Sequence, residues 1–168
     1  ILNGRTIDVC EIVFGEYRDV SAFSALKKYY SLLCDAPLKL DHKIYGSNNW
    51  YYAYGKISHS SVIKDAQLLV ELCRGITEKP YMIIDAGWEK NEHCAPWSEL
   101  KEGAFYDMKA LAAQMSEIGV RPGIWIRPLR DDHCLVFPEG APQRCVRDGK
   151  YLDPSHPDTL NYIKNTLS

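Results

Sequence analysis

A carboxylate and an indole directly follow a short apolar run near the middle of the chain. The run Tyr81–Ile84 lies between Pro80 and Gly87, and Asp85 and Trp88 come immediately after it. A short β-branched apolar run bounded by Pro and Gly predicts a buried strand. Ligands of parallel sheets bind beyond the carboxyl ends of the strands. The two side chains therefore predict the mouth of a binding pocket, although a turn cap and a core indole fit the same pattern.

Two further predicted strands end in aromatic and charged residues. The first lies within residues 44–55, where Trp50 and three nearby tyrosines favour a strand and its exit loop. The other spans residues 123–128 and carries Trp125 and Arg127. Because parallel strands end at one edge of their sheet, Trp50, Trp125 and Arg127 are expected on the same rim as Asp85.

Helices are predicted between these strands. An apolar 3.6-residue period runs from residue 60 to residue 73 before Gly75, and Ser60 or Ser61 is the predicted cap. A second helix begins after Asp107 and ends at Gly119. A third follows Ser155, whose spacing to Asp158 is that of a capping box.

Alternating strands and helices predict a parallel α/β sheet with right-handed crossovers. The predicted βα loops are long and the αβ loops are short, which favours a (β/α)8 TIM barrel with its site at the carboxyl ends of the strands. A doubly wound sheet is the alternative, but the sequence has neither a G-x-G-x-x-G nor a Walker loop.

A barrel needs eight strands and about 250 residues, whereas 168 residues supply about three βα units. We expect a partial barrel over residues 41–168. It is preceded by a strand within residues 1–14 and a helix with cap Asp19 or Ser21, which form the end of another domain over residues 1–40.

Composition excludes several classes of partner. The formal net charge of −2 argues against nucleic acid, and no apolar run approaches the length needed to span a membrane. The six cysteines form no C-x-x-C pair, so no metal site is expected at residues 92–94 or 131–134, the two ligand-like clusters. Reduced thiols are expected, with a Cys134–Cys145 disulfide as the alternative, and they favour a cytoplasmic location.

Four motifs occur in a familiar order: residues 48–54 (NNWYYAY), 81–88 (YMIIDAGW), 121–128 (RPGIWIRP) and 152–158 (LDPSHPD). Together they resemble the melibiase family of glycoside hydrolases, which includes α-galactosidases and raffinose synthases. The resemblance covers about residues 15–168. It implies a retaining glycosidase built on a (β/α)8 barrel, a preceding β-sandwich whose end would be residues 1–40, and no cofactor. An oligomer is compatible with the sequence.

The resemblance also implies roles for single residues. Trp50 and Trp125 would line the sugar subsite, where an indole packs on the apolar face of a pyranose. Asp85 matches the first of two family acids that bind hydroxyls of a terminal galactosyl unit, and Ala86 replaces the second. Arg127 stands where many relatives carry Glu and is expected to pair with Asp85 or with a later catalytic Asp. Trp88 is expected in the subsite or packed beneath the loop.

The catalytic carboxylates implied by the resemblance are not in this sequence. The family nucleophile belongs to a Lys-x-Asp motif on strand four and the acid/base Asp lies on strand six. The aspartates at positions 131, 132 and 153 match neither and are expected in turns and solvent. The expected function is part of an α-galactosidase-like hydrolase acting on an oligosaccharide or glycoside. A raffinose-synthase-like transglycosylase, a carbohydrate-binding protein without catalysis and an unrelated barrel enzyme remain alternatives.

Overall fold

The fold is an α/β arrangement that contains a three-stranded parallel sheet. The computed structural model describes residues 4, 6, 8–34, 36, 38–91, 93–140, 142–146 and 149–167. The elements are, in chain order, α1 Ala22–Leu33, β1 Gly46–Asn48, α2 Trp50–Ala53, α3 His59–Leu72, β2 Tyr81–Ile84, α4 Met108–Ile118, β3 Arg121–Ile124, β4 Gln143–Val146, β5 Gly149–Leu152 and α5 Pro157–Leu167. The contacts divide the chain into two units, which meet in sequence between Asp41 and His42.

In the first unit the predicted helix forms, whereas the described residues of the predicted strand do not form one. Ser21 caps α1, and its hydroxyl accepts a hydrogen bond from the backbone N–H of Ser24. The described residues from 4 to 20 form no strand, and Ile7, inside the predicted strand, lies outside them. The physical reason is that a strand requires a partner to satisfy its backbone groups.

The second unit contains the predicted parallel sheet, with β2 between β1 and β3. Met82 and Ile84 are buried on one face of β2. That face is covered by α3 and α4, whose Val62, Ala66, Leu111 and Met115 are fully buried. Each large apolar side chain buried in this way contributes about 1.5–3 kcal/mol. The sheet and the two helices therefore form a rigid base for the loops at the carboxyl ends of the strands.

The helix boundaries follow local capping chemistry. Asp107 caps α4 by accepting from the N–H of Ala110 at 2.8 Å, and Gly119 ends that helix in the left-handed region, both as predicted. The cap of α3 is Ser58 rather than Ser60 or Ser61, because Ser58 and Ser61 form a reciprocal capping box. The predicted box at Ser155 does not form, since that hydroxyl donates to Asp153 and the His156 imidazole accepts from the N–H of Asp158.

Two segments differ from the sequence prediction. Trp50–Ala53 is a helical turn rather than a strand, because Asn48 Oδ1 accepts from Trp50 N and the N–H of Tyr54 bonds to the Trp50 carbonyl. The loop after β3 contains an antiparallel hairpin, β4–β5, which the prediction missed. Among the described residues, no helix is long and apolar enough to cross a membrane.

Candidate functional site

A cavity of about 330 Å³ opens where the three parallel strands end. Its lining residues come from the end of β1 and from the segments after all three strands: Asn48, Trp50, Tyr51, Asp85, Ala86, His93, Trp125 and Arg127. Four of the five residues predicted from the sequence are thus brought together, and Trp88 is the exception. The parallel register explains the convergence, because Asn48 pairs with Ile83 and Ile84 pairs with Ile124.

Two hydrogen bonds hold Asp85 in the wall of this cavity. Its N–H donates to Oδ1 of the fully buried Asn49 at 3.0 Å, which joins the ends of β1 and β2. Its own Oδ1 accepts the N–H of Ala86 at 2.8 Å. Within the described part of the chain, no group donates to Oδ2 of Asp85. The carboxylate is therefore oriented by the protein and has one oxygen to offer a hydroxyl group.

Gly87 permits the turn that follows Asp85. Its φ is +111°, and a Cβ at this position would lie 2.4 Å from the carbonyl oxygen of Gly55. Only glycine allows two backbone segments to approach so closely at this dihedral angle. The contact packs the exit of β2 against the end of the Trp50 turn.

Trp88 lies in the core and does not line the cavity. Its exposed fraction is 3%, and it packs on Trp97 with ring centroids 5.8 Å apart. Its indole Nε1 donates to the backbone carbonyl of Trp125 at 3.0 Å. The side chain thus ties the exits of β2 and β3 together from beneath the site.

Arg127 is anchored on the loop after β2 rather than on Asp85. Its Nε donates to the carbonyl of His93 at 2.9 Å, and Nη2 donates to the same oxygen. The guanidinium carbon is 5.4 Å from the ring centroid of Trp125. Asp85 and Arg127 line the same cavity, but no ion pair joins them among the residues that the structure describes. The His93 carbonyl occupies the guanidinium edge formed by Nε and Nη2. It does not occupy the second edge, which is formed by Nη1 and Nη2.

The sequence prediction missed His93 as a cavity residue. The imidazole stands edge-on to Trp50 and to Trp125, with ring centroids 5.9 Å and 6.4 Å away. Its Nδ1 lies 2.7 Å from Oε1 of Glu89, whose side chain is completely buried. Because the pair lies in an irregular loop, no sequence periodicity could have shown that Glu89 and His93 meet.

The predicted solvent position of Asp131 is wrong. This carboxylate is fully buried and accepts from the N–H groups of Leu135 and Val136 at 2.9 and 3.0 Å, and from the Gln143 amide at 2.6 Å. It holds the loop after β3 against the β4–β5 hairpin.

Neither ligand-like cluster forms a metal site in the described ranges, where no three His, Cys, Asp or Glu side chains are placed to hold a metal ion. Cys94 and Cys134 have free thiols. Glu92 and the side chain of Cys145 lie outside the described residues. The free thiol of Cys134 does not fit the alternative Cys134–Cys145 disulfide.

The sequence of this chain is similar to that of an α-galactosidase. The chain matches no protein-family profile. It is 26% identical over 137 residues to α-galactosidase AgaA of Geobacillus stearothermophilus, a match that covers 72% of this chain and 18% of AgaA. This chain is related to the melibiase-type α-galactosidases. It spans less than a fifth of the length of the curated relative that it matches.

Solved melibiase-type structures share its fold. TtGalA of Thermus thermophilus superposes with a TM-score of 0.61 at 20% identity, covering 82% of this chain and 30% of TtGalA. The galactosidase domain of the α-galactosidase-sucrose kinase AgaSK gives a TM-score of 0.60 at 20% identity, covering 76% of this chain and 19% of that chain. The crystal structure of AgaA gives 0.56 at 21% identity, with the same coverage as AgaSK. At these identities the likeness establishes the fold alone.

Proposed function

We propose that residues 41–168 are the first three βα units of the (β/α)8 barrel of a glycoside hydrolase, and that residues 1–40 are the end of a preceding β-sandwich. The parallel order β1–β2–β3, the long loops after the strands and the melibiase-type likeness support the assignment of residues 41–168. In the described residues β3 has a partner on one side only, and closure into a barrel would supply the other.

The cavity at the strand ends is the proposed sugar subsite. The observation that carries this proposal is that Trp50, Asp85, Trp125 and Arg127 line one cavity of about 330 Å³. Indole faces pack on the apolar C–H face of a pyranose. A carboxylate and a guanidinium supply strong charged hydrogen bonds to its hydroxyls. Trp88 acts by holding the carbonyl of Trp125 rather than by contacting the sugar.

The proposed ligand class is an α-linked galactoside or a related sugar. AgaA variants are described in complex with stachyose and with raffinose, and TtGalA with p-nitrophenyl α-D-galactopyranoside. A retaining hydrolase needs two carboxylates about 5–5.5 Å apart. The melibiase resemblance assigns neither to this chain. We therefore propose that the whole protein hydrolyses glycosides while the 168-residue chain alone binds without turnover.

One observation favours a different outcome. Ala86 lines the cavity where the resemblance implies a second acid, and its methyl group cannot accept a hydroxyl hydrogen bond. A carbohydrate-binding protein without catalysis, or a raffinose-synthase-like transglycosylase, would tolerate this change.

The test is to read the natural gene product beyond Ser168 and assay it. We expect a Lys-x-Asp motif soon after this position, and release of nitrophenol from p-nitrophenyl α-D-galactopyranoside. An Asp85→Ala variant of that product should lose about a hundredfold or more in kcat/KM, whereas Asp158→Ala, on the exposed side of α5, should not. A panel with the β-L-arabinopyranoside, which lacks the hydroxymethyl group, reports what Ala86 changes. A product with no Lys-x-Asp and no turnover would support the binding protein.

A further inference from the structure

Glu89 and His93 form a buried pair that the proposed sugar contacts do not use. The Glu89 carboxylate is completely inaccessible. Its oxygens accept the N–H of Gly87 at 3.1 and 3.0 Å, and Oε1 contacts His93 Nδ1 at 2.7 Å. A carboxylate that is removed from water is costly unless its oxygens are satisfied. Here the loop satisfies them with one backbone donor and one imidazole.

The contact with Glu89 determines which nitrogen of His93 carries the proton. A carboxylate that accepts a backbone N–H is acting as an acceptor, so the matching group on His93 is Nδ1–H. In the neutral imidazole the other nitrogen, Nε2, then has a free lone pair and accepts hydrogen bonds. The pair thus presents a hydrogen-bond acceptor at the end of a ring of fixed orientation.

His93 lines the cavity, and its neighbours fix the position of the ring. Trp50 and Trp125 hold the ring edge-on from two sides. Its backbone is in the left-handed region at φ +75°, which is uncommon for a residue other than glycine, and its carbonyl accepts from Arg127. One loop residue therefore contacts side chains that follow all three strands of the sheet.

His93 and Ala86 line the same cavity and both approach Gly55. A Cβ placed on Gly55 would lie 3.4 Å from Cε1 of His93, 3.8 Å from its Nε2 and 3.6 Å from the Ala86 carbonyl oxygen. The imidazole therefore adds a hydrogen-bonding group to a cavity in which the side chain of Ala86 is only a methyl group.

We propose that His93 is a specificity-determining residue of the sugar cavity, whose Nε2 accepts a hydrogen bond from a glycone hydroxyl, and that Glu89 is its positioning residue. This inference rests on the proposed function, because it requires the cavity to hold a sugar. It adds a contact that does not come from Asp85 and that depends on the tautomer of one imidazole.

The test uses the 168-residue chain with ¹⁵N-labelled histidine and two probes, methyl α-D-galactopyranoside and methyl β-L-arabinopyranoside. The chain has five histidines, and the His93 ring resonances are assigned by their loss in His93→Gln. Before sugar is added, the spectrum should show a protonated Nδ1 and a bare Nε2. On saturation with a sugar that binds, the Nε2 resonance should shift and the Nδ1 resonance should stay in place. The shift itself is measured on the wild-type chain, and His93→Gln serves only for the assignment.

Variants separate a contact from a structural role. We expect His93→Phe, which keeps a planar ring without nitrogen, to weaken sugar binding about tenfold, and His93→Gln to restore part of the loss. Glu89→Gln places an amide beside Nδ1, so the tautomer should switch and affinity should fall while the circular dichroism spectrum is unchanged. His133→Gln, at an exposed loop position outside the cavity, is the matched control and should bind as the wild type does.

The outcomes distinguish this inference from the proposed function. If a sugar binds while Nε2 does not respond and His93→Phe retains wild-type affinity, the role of His93 is refuted and the sugar cavity stands. If neither sugar binds the wild-type chain at millimolar concentration, the sugar cavity is refuted and the role of His93 with it.

Discussion

Asn49 and Asp85 are joined across the ends of neighbouring strands by a hydrogen bond of 3.0 Å from the Asp85 N–H to Asn49 Oδ1. Asn49 is completely buried, so water cannot replace it as the acceptor. The proposed sugar-binding carboxylate thus depends on a side chain that lies outside the cavity.

Asn49→Ala should therefore destabilise the chain. It leaves the buried Asp85 N–H without an acceptor, which costs about 1–3 kcal/mol in the free energy of unfolding. Urea unfolding followed by circular dichroism measures the change. Asn161→Ala, at an exposed position on α5, is the matched control and should change stability by less than about 0.5 kcal/mol. Equal effects of the two substitutions would remove this role from Asn49.

Gly87→Ala should be more damaging than the same change at another glycine with positive φ. The new Cβ at Gly87 would meet Gly55 backbone atoms at 2.4–2.8 Å, whereas at Gly103, with φ +74°, it would meet nothing within 4 Å. We expect a loss of about 3 kcal/mol at Gly87, from dihedral strain and overlap together, and about 1 kcal/mol at Gly103 from dihedral strain alone. Thermal unfolding of both variants provides the comparison, and a smaller loss at Gly87 would be inconsistent with the observed backbone contact.

Asp131→Ala should destabilise the loop after β3 and the hairpin. The substitution removes the acceptor of two backbone N–H groups and of the Gln143 amide, at a cost of about 3 kcal/mol. The adjacent Asp132 is ion-paired with Arg130 at a partly exposed site, so Asp132→Ala should cost about 1 kcal/mol or less. Hydrogen exchange of the Leu135 and Val136 amides should accelerate in Asp131→Ala and remain slow in Asp132→Ala.

Tyr52 should lose its proton at a higher pH than an ordinary tyrosine. Burial, together with the hydrogen bond to Asp65 and its negative charge, raises the pKa of Tyr52 from 10.0 to about 12. Because the folded pKa lies above the unfolded value, this stabilisation is fully present below pH 10. It is lost as the pH rises toward about 12. Absorbance is titrated against alkaline pH for the wild type and for Tyr52→Phe, and the midpoint of the difference curve should lie near the raised pKa. Asp65→Asn should shift this midpoint to lower pH. A difference curve centred at the ordinary pKa would contradict the contact.

Local chemistry explains which parts of the fold could be predicted from sequence. Asp107 and Gly119 bound α4 because a side-chain cap and a left-handed glycine act within a few residues of their own positions. Tyr81–Ile84 is bounded by Pro80 and the close-packed Gly87. The prediction that the strands end at one rim needed only the parallel topology, and it brought four of the five residues of the proposed site together.

The errors arose where distant contacts override local preference. The aromatics from Trp50 onward favour a strand by propensity, but the Asn48 side chain accepts the Trp50 N–H at the start of a helical turn, and Gly55 after it meets Gly87. Trp88 was indistinguishable from a cavity residue in sequence, because only the bond of its indole to the Trp125 carbonyl shows which way it points. The Glu89–His93 pair belongs to the same class, since its geometry depends on an irregular loop.

Titration of the 168-residue chain with p-nitrophenyl α-D-galactopyranoside tests the central claim most directly. Calorimetry measures binding, and absorbance of the released nitrophenol measures turnover in the same samples. The account predicts saturable binding without turnover, and an Asp85→Ala variant about tenfold or more weaker, with Asp158→Ala as the matched control. The absence of saturable binding, or equal affinity of the Asp85→Ala variant, would contradict a sugar subsite in this cavity. Turnover would contradict the proposal that the 168-residue chain lacks the catalytic carboxylates.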